Sequence, residues 1–132
     1  MSVDHHLKSI LLVALGGATG SVLRYLLSAW TFAQAVHWRF PIGTFVVNIL
    51  GCLMVGLLAG LMAKHQFLSP DARLFLITGI AGGFTTFSAL GMETFHLLRR
   101  GDMLIAGSYV ASSVIVGILC VWVGFELISG RG

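Results

Sequence analysis

The sequence predicts an all-α membrane protein of four transmembrane helices, one domain over residues 1–132, with the third helix broken near its middle. Three observations carry that prediction. Of the 132 residues, 57% are hydrophobic and 10% are charged, with a mean hydropathy of +0.95, whereas soluble domains carry about 25% charged residues. The apolar residues fall into four stretches, about 9–30, 41–63, 74–98 and 103–127, each long enough to cross a hydrocarbon core of about 30 Å. The third stretch contains Gly79-Ile80-Ala81-Gly82-Gly83-Phe84-Thr85-Thr86-Phe87-Ser88. Each glycine there lowers helix propensity by about 1 kcal/mol relative to alanine, and the threonine hydroxyls compete for backbone hydrogen bonds.

The net charge of +3 rests on 8 basic and 5 acidic residues. Most sit in loops and ends, which fits membrane topology and not nucleic-acid binding. Cys52 and Cys120 both lie in apolar stretches and read as small buried hydrophobes without a disulfide or metal framework.

Met1–Lys8 is a polar end whose adjacent His5 and His6 have no other ligand nearby. The first span continues to Trp30, too far for a cleaved secretory signal, and is read as a retained helix. Its Gly16-Gly17-Ala18-Thr19-Gly20 run supplies a small-xxx-small contact face. Arg24 in the same span must face protein or water, or reach the interface, because an arginine at the helix centre costs about 2.5–3.5 kcal/mol. In the loop that follows, Trp38 joins Trp30 as an interfacial aromatic, and Pro41 is placed to start the next helix.

The second span has no charge and places Thr44 and Asn48 four apart, on one face. Asn48 is the informative residue, since an amide inside a membrane needs partners and can donate to an anion as well as accept. The competing reading is an interhelical hydrogen bond. Gly56 and Gly60 form a second small-xxx-small pair, and Ser69 or Asp71 is expected to cap the third span.

In the third span, Phe84 and Phe87 are three apart, so resumed helix would project both rings from one face. Glu93 lies near the charged end, in a wet vestibule, and Arg99-Arg100-Gly101 ends the span. In the fourth span, Tyr109 and Ser113 share a face with Ser112 beside it. Such a stripe serves either a polar pathway or interhelical contact.

Four spans put both termini and the second loop on one side of the membrane. That side carries Lys8, Lys64, Arg73 and Arg131, against Arg39, Arg99 and Arg100 on the other. So even a balance gives almost no orientation signal. The chain is expected to insert both ways round and to pair as an antiparallel, dual-topology homodimer about an axis in the membrane plane.

A span that breaks at membrane depth is tolerated where protein or a wet cavity covers the freed backbone groups, and such breaks build ion and substrate sites. The spans hold no lysine, and there is no mid-membrane carboxylate in the first, second or fourth, which favours passive conduction. Asn48, Thr85, Thr86, Ser88 and the positive ring edges of Phe84 and Phe87 suit an anion, while freed carbonyls around 79–82 suit a cation. The residues by themselves indicate a small-ion channel and leave its selectivity open.

Gly82-Gly83-Phe84-Thr85-Thr86-Phe87-Ser88, Gly43-Thr44 with Asn48 and Gly51, and Gly16–Gly20 with Arg24-Tyr25 together resemble the Fluc (CrcB) family of fluoride channels over nearly the whole chain. The resemblance implies a dual-topology homodimer with two pathways that passively exports fluoride across the bacterial plasma (inner) membrane. It implies Phe84 and Phe87 as pore rings, Asn48 as the pore amide, and Thr86 and Ser88 as hydroxyl donors. It further implies Tyr109 and Ser113 in a polar track, Arg24 and Glu93 in vestibules, and backbone carbonyls of Gly79 and Gly82 on a structural Na⁺ at the dimer centre. One departure is Ala89-Leu90, where many members continue Thr-Phe.

Three other readings are weaker. A small multidrug-type exporter shares span count and length but carries a glutamate in its first span, absent from 9–30 here. A non-transporting membrane partner accounts for the glycine faces but not for the aromatic-hydroxyl cluster. An enzyme is not expected, for lack of any nucleophile–base–orienter set.

Overall fold

A computed structural model describes residues 3–65 and 68–130, and every element in it is helical. Helix α1 is Val3–Gln34, α2 is Ile42–His65, α3 covers residues 70–84, α4 is Phe87–Arg99 and α5 is Met103–Ser129. Four segments, with α3 and α4 counted together as Pro70–Arg99, are long and apolar enough to cross a membrane. The chain is a multi-pass membrane protein. Arg131, which enters the charge balance, lies outside the described residues.

Helix α1 outruns its apolar stretch at both ends. The residues expected as a polar end join the helix, with Asp4 in the first turn, where a negative charge meets the positive helix terminus. Polar side chains along it satisfy themselves locally. Thr19 Oγ1 donates to the Leu15 carbonyl and Thr31 Oγ1 to that of Leu27, both at 2.8 Å. Back-bonding of this kind hides a hydroxyl from lipid. Ser69 caps α3, its Oγ accepting from Ala72 N–H at 3.2 Å, and Pro70 follows at N1, where its missing N–H costs nothing. Lys8 and Asp71 form an ion pair that ties the start of α1 to the start of α3.

Helix α3 changes winding along its length, with π-helix over Leu74–Ala81 between short α-helical turns. Gly79 and Gly82 both stay helical. The expected loss of helix at the glycines therefore does not occur where their propensity placed it. The reason is packing: a Cβ on Gly16 would lie 2.5 Å from the Phe75 carbonyl oxygen, and one on Gly83 would lie 2.4 Å from that of Gly17. The glycines let α1 and α3 cross backbone to backbone, as small-residue interfaces in membranes do. The departure from helix comes just after them. Thr85 (φ −80°, ψ 155°) and Thr86 (φ −150°, ψ 114°) are extended.

The most extensive helix pairing is α2 with α5. Gly56 lies under Val121, whose carbonyl oxygen would be 2.2 Å from a Cβ there. Helix α4 ends with Gly101 at φ +82°, and Asp102 N–H reaches back to the Leu97 carbonyl at 2.9 Å. This is a Schellman closure, in which glycine takes the left-handed position. The small core of the single chain centres on Leu90, Leu97, Ala106 and Tyr109.

Candidate ion pathway

Midway along the third span, the extended pair Thr85–Thr86 removes the donors that would complete α3. Its backbone is satisfied from α2. Thr86 N–H donates to Asn48 Oδ1 at 2.8 Å, and Asn48 Nδ2 donates to the Thr86 carbonyl at 3.1 Å. The amide thus stands in for a β-ladder partner, and one Nδ2 hydrogen remains for another acceptor. Thr86 Oγ1 accepts from Ala89 N–H at 3.2 Å, capping α4, and shares a 3.1 Å hydrogen bond with Ser88 Oγ. Thr85 turns back into α3 through its hydroxyl, 2.9 Å from the Ala81 carbonyl.

These groups line a groove of about 290 Å³ formed by Asn48, Gly51, Cys52, Thr86, Phe87 and Leu90 among others. Asn48, Thr86 and Phe87 therefore meet, as expected. Phe84 does not join them. It is the last residue of α3 and Phe87 the first of α4, so the shared helical face inferred from their spacing does not exist. Phe84 instead packs near Gly51, with its Cδ1 3.3 Å from where a Cβ would stand. The Phe87 ring is 84% exposed in the single chain.

A second polar cluster joins three helices. Thr44 Oγ1 donates to Glu93 Oε1 at 2.7 Å and Tyr109 OH donates to Glu93 Oε2 at 2.6 Å. Tyr109 has no exposed surface, and the Phe40 ring meets it edge-on at 5.2 Å. Glu93 and Thr44 also line an open cleft of about 620 Å³ between the α1–α2 loop and Arg100. The vestibule expected for Glu93 corresponds to this cleft. Arg24 is half-buried on α1, does not line the cleft, and makes no ion pair among the described residues. Ser113 Oγ is buried with no hydrogen-bond partner among the described residues. Thr44 was readable in the sequence only as a neighbour of Asn48. Its bond to Glu93 is a contact between residues 49 apart, which no local spacing encodes.

The two carbonyls expected to hold Na⁺ differ. In a continuous helix Thr86 N–H would donate to the Gly82 carbonyl, but that donor is taken by Asn48. The Gly82 oxygen is thereby freed, on an exposed glycine with open space around its Cα. The Gly79 oxygen accepts from Gly82 N–H, and the residue is buried against Gly16. The Gly82 carbonyl suits a hard cation, and Gly79 acts as a packing residue. Among the described residues no three His, Cys, Asp or Glu side chains converge as metal ligands.

Comparison with known proteins agrees with this geometry. A family model described as CrcB-like protein, Camphor Resistance (CrcB), matches residues 11–125. A Methylobacillus flagellatus protein named fluoride-specific ion channel FluC is 55% identical over 119 residues, which is 90% of this chain and 93% of the relative. Proteins of the same name from Flavobacterium psychrophilum and Chloroflexus aurantiacus are each 46% identical. They cover 89% and 92% of this chain and 94% and 95% of their own lengths.

Proposed function

The chain belongs to the CrcB family, and from that premise we propose that it is a fluoride-specific ion channel, passive in mechanism and not an enzyme. The observation that carries the proposal is the Asn48–Thr86 clasp. It opens the third span at mid-membrane and leaves an amide hydrogen, two hydroxyls and the exposed Phe87 ring edge facing one groove. A small, strongly hydrated anion needs several short donors without a permanent positive charge that would trap it. The pathway is assigned to Asn48, Thr86, Phe87 and Ser88, with Tyr109 and Ser113 continuing it. Glu93 stands at the cleft, its charge held by two hydroxyl donors. Phe84 is assigned to the wall.

The functional unit is an antiparallel homodimer in the bacterial plasma membrane, and flow of fluoride down its gradient exports it. The even charge balance and the exposure of Phe87 in a single chain support the pairing. The freed Gly82 carbonyl of each copy is assigned to a shared Na⁺ at the dimer centre, where the cation would fix the two broken spans together. The test is efflux from liposomes loaded with fluoride or chloride. Rapid fluoride loss without chloride loss, abolished by Phe87→Ile, is the expected result. No fluoride loss from folded wild-type dimer would overturn the channel reading. Tags at the C-terminus found on one membrane face alone would overturn the antiparallel one.

A further inference from the structure

Between α1 and α2, Arg39 and Phe40 sit side by side on the rim of the 620 Å³ cleft. The Phe40 carbonyl accepts from Ile42 N–H at 2.8 Å, which holds its backbone against the start of α2. Its ring is wedged between two others, edge-on to Phe45 at 5.3 Å and 76° and to Tyr109 at 5.2 Å and 80°. Arg39 Nη1 reaches Asp102 Oδ1 at 3.3 Å, and Arg100 Nε reaches Oδ2 at 3.5 Å. Asp102 is the N-cap of α5, yet its side chain makes no cap hydrogen bond. A residue type favoured for capping its own helix is here turned outward to hold the loop. Both contacts lead to one group, the Tyr109 hydroxyl, whose only room to move is set by the rings around it.

We infer that Phe40 is a positioning residue for ion flow: held over α5 by the Arg39–Asp102 pair, its ring fixes Tyr109 so that the hydroxyl stays on Glu93. This rests on the fluoride-channel reading. The ring does not face the groove at Asn48, so its effect passes through Tyr109. The exposed Arg39–Asp102 pair is the weaker of the two holds, and the aromatic contact is the stronger.

The test compares fluoride efflux from liposomes for Phe40→Leu and Phe40→Tyr, in wild-type and Tyr109→Phe backgrounds, with dimer content checked by size exclusion. Phe40→Leu should slow efflux about three- to tenfold, the range one edge-on ring contact supports. Phe40→Tyr, which keeps the ring and has the open cleft for its hydroxyl, should restore the wild-type rate. In the Tyr109→Phe background Phe40→Leu should slow efflux no further. Equal efflux from wild type and Phe40→Leu, or the same fractional loss in both backgrounds, overturns the inference. If Phe40→Leu gives no dimer, Asp102→Asn decides, since asparagine still suits the cap position. It should slow efflux about twofold in wild type and not at all in Tyr109→Phe, and equal effects in both overturn the inference. Wild-type protein that carries no fluoride fails the channel reading, a distinct outcome.

Discussion

Replacing Asn48 with leucine should destabilise the fold and stop conduction together. The side chain is close to isosteric, so little volume changes, but both hydrogen bonds to Thr86 are lost, at 2.8 and 3.1 Å. Thr86 is only 9% exposed and extended, so neither its N–H nor its carbonyl has a helical partner to fall back on. A side-chain hydrogen bond between membrane helices is worth about 0.6 kcal/mol on average, which sets a floor near 1.2 kcal/mol for two. Leaving two buried backbone groups unsatisfied costs about 1–3 kcal/mol each, which sets a ceiling near 6 kcal/mol. The expected loss is about 3 kcal/mol, read as a shift in a denaturant titration of the detergent-solubilised protein. Asn48→Asp separates the two bonds. Its carboxylate still accepts from Thr86 N–H but cannot donate to the Thr86 carbonyl, so it should lose less stability while placing a negative charge in the anion path. Fluoride efflux should fall at least tenfold in both. If Asn48→Leu unfolds within 0.5 kcal/mol of wild type and conducts normally, the clasp does not hold the site open and the reasoning fails.

Three further outcomes are expected. Gly79→Val forces a side chain into the Gly16 backbone, 2.8 Å from its Cα, and should cost about 1–3 kcal/mol or more through helix separation. Gly82→Ala meets nothing nearer than 3.7 Å, keeps its carbonyl, and should match wild type in a thermal melt. Tyr109→Phe and Thr44→Val each remove one hydroxyl donor to Glu93 and should slow fluoride efflux. The double variant should be worse than the product of the singles, because the carboxylate then has no donor in this cluster. Exchanging Na⁺ for a large organic cation on both sides of the membrane should reduce fluoride flux and loosen the dimer on size exclusion. Unchanged flux and elution after exhaustive exchange would remove Na⁺ from the assignment.

Hydropathy located the spans because lipid demands apolar length, and it misplaced their ends for the same reason. The helix of α1 begins at Val3 and carries Asp4, His5, His6 and Lys8, since helical hydrogen bonding continues beyond the hydrocarbon while apolar character does not. The glycine run was legible as special but ambiguous in kind. Low helix propensity and close helix contact draw on the same residues, and here Gly79 and Gly83 serve contact while the extended backbone falls on Thr85 and Thr86. The pairing of Phe84 with Phe87 failed because a three-residue spacing means a common face only if the helix is continuous. Asn48 could be singled out as a membrane-buried amide in need of a partner, though not that the partner would be backbone. The Thr44–Glu93–Tyr109 cluster was the least legible part. Its members come from three helices, and only their packing makes one carboxylate the acceptor for two hydroxyls.

The π-wound stretch Leu74–Ala81 makes the third span sensitive to length in a way its composition does not reveal. A π-turn amounts to one extra residue accommodated within an α-helix. Deleting a single residue there would let the segment relax to ordinary winding and turn everything beyond it by about 100°. Thr86 would then face away from Asn48, although every residue of the site remained in the chain. In this protein the number of residues before the threonines is a phase setting, and a one-residue deletion upstream would act on the pathway as strongly as a substitution within it.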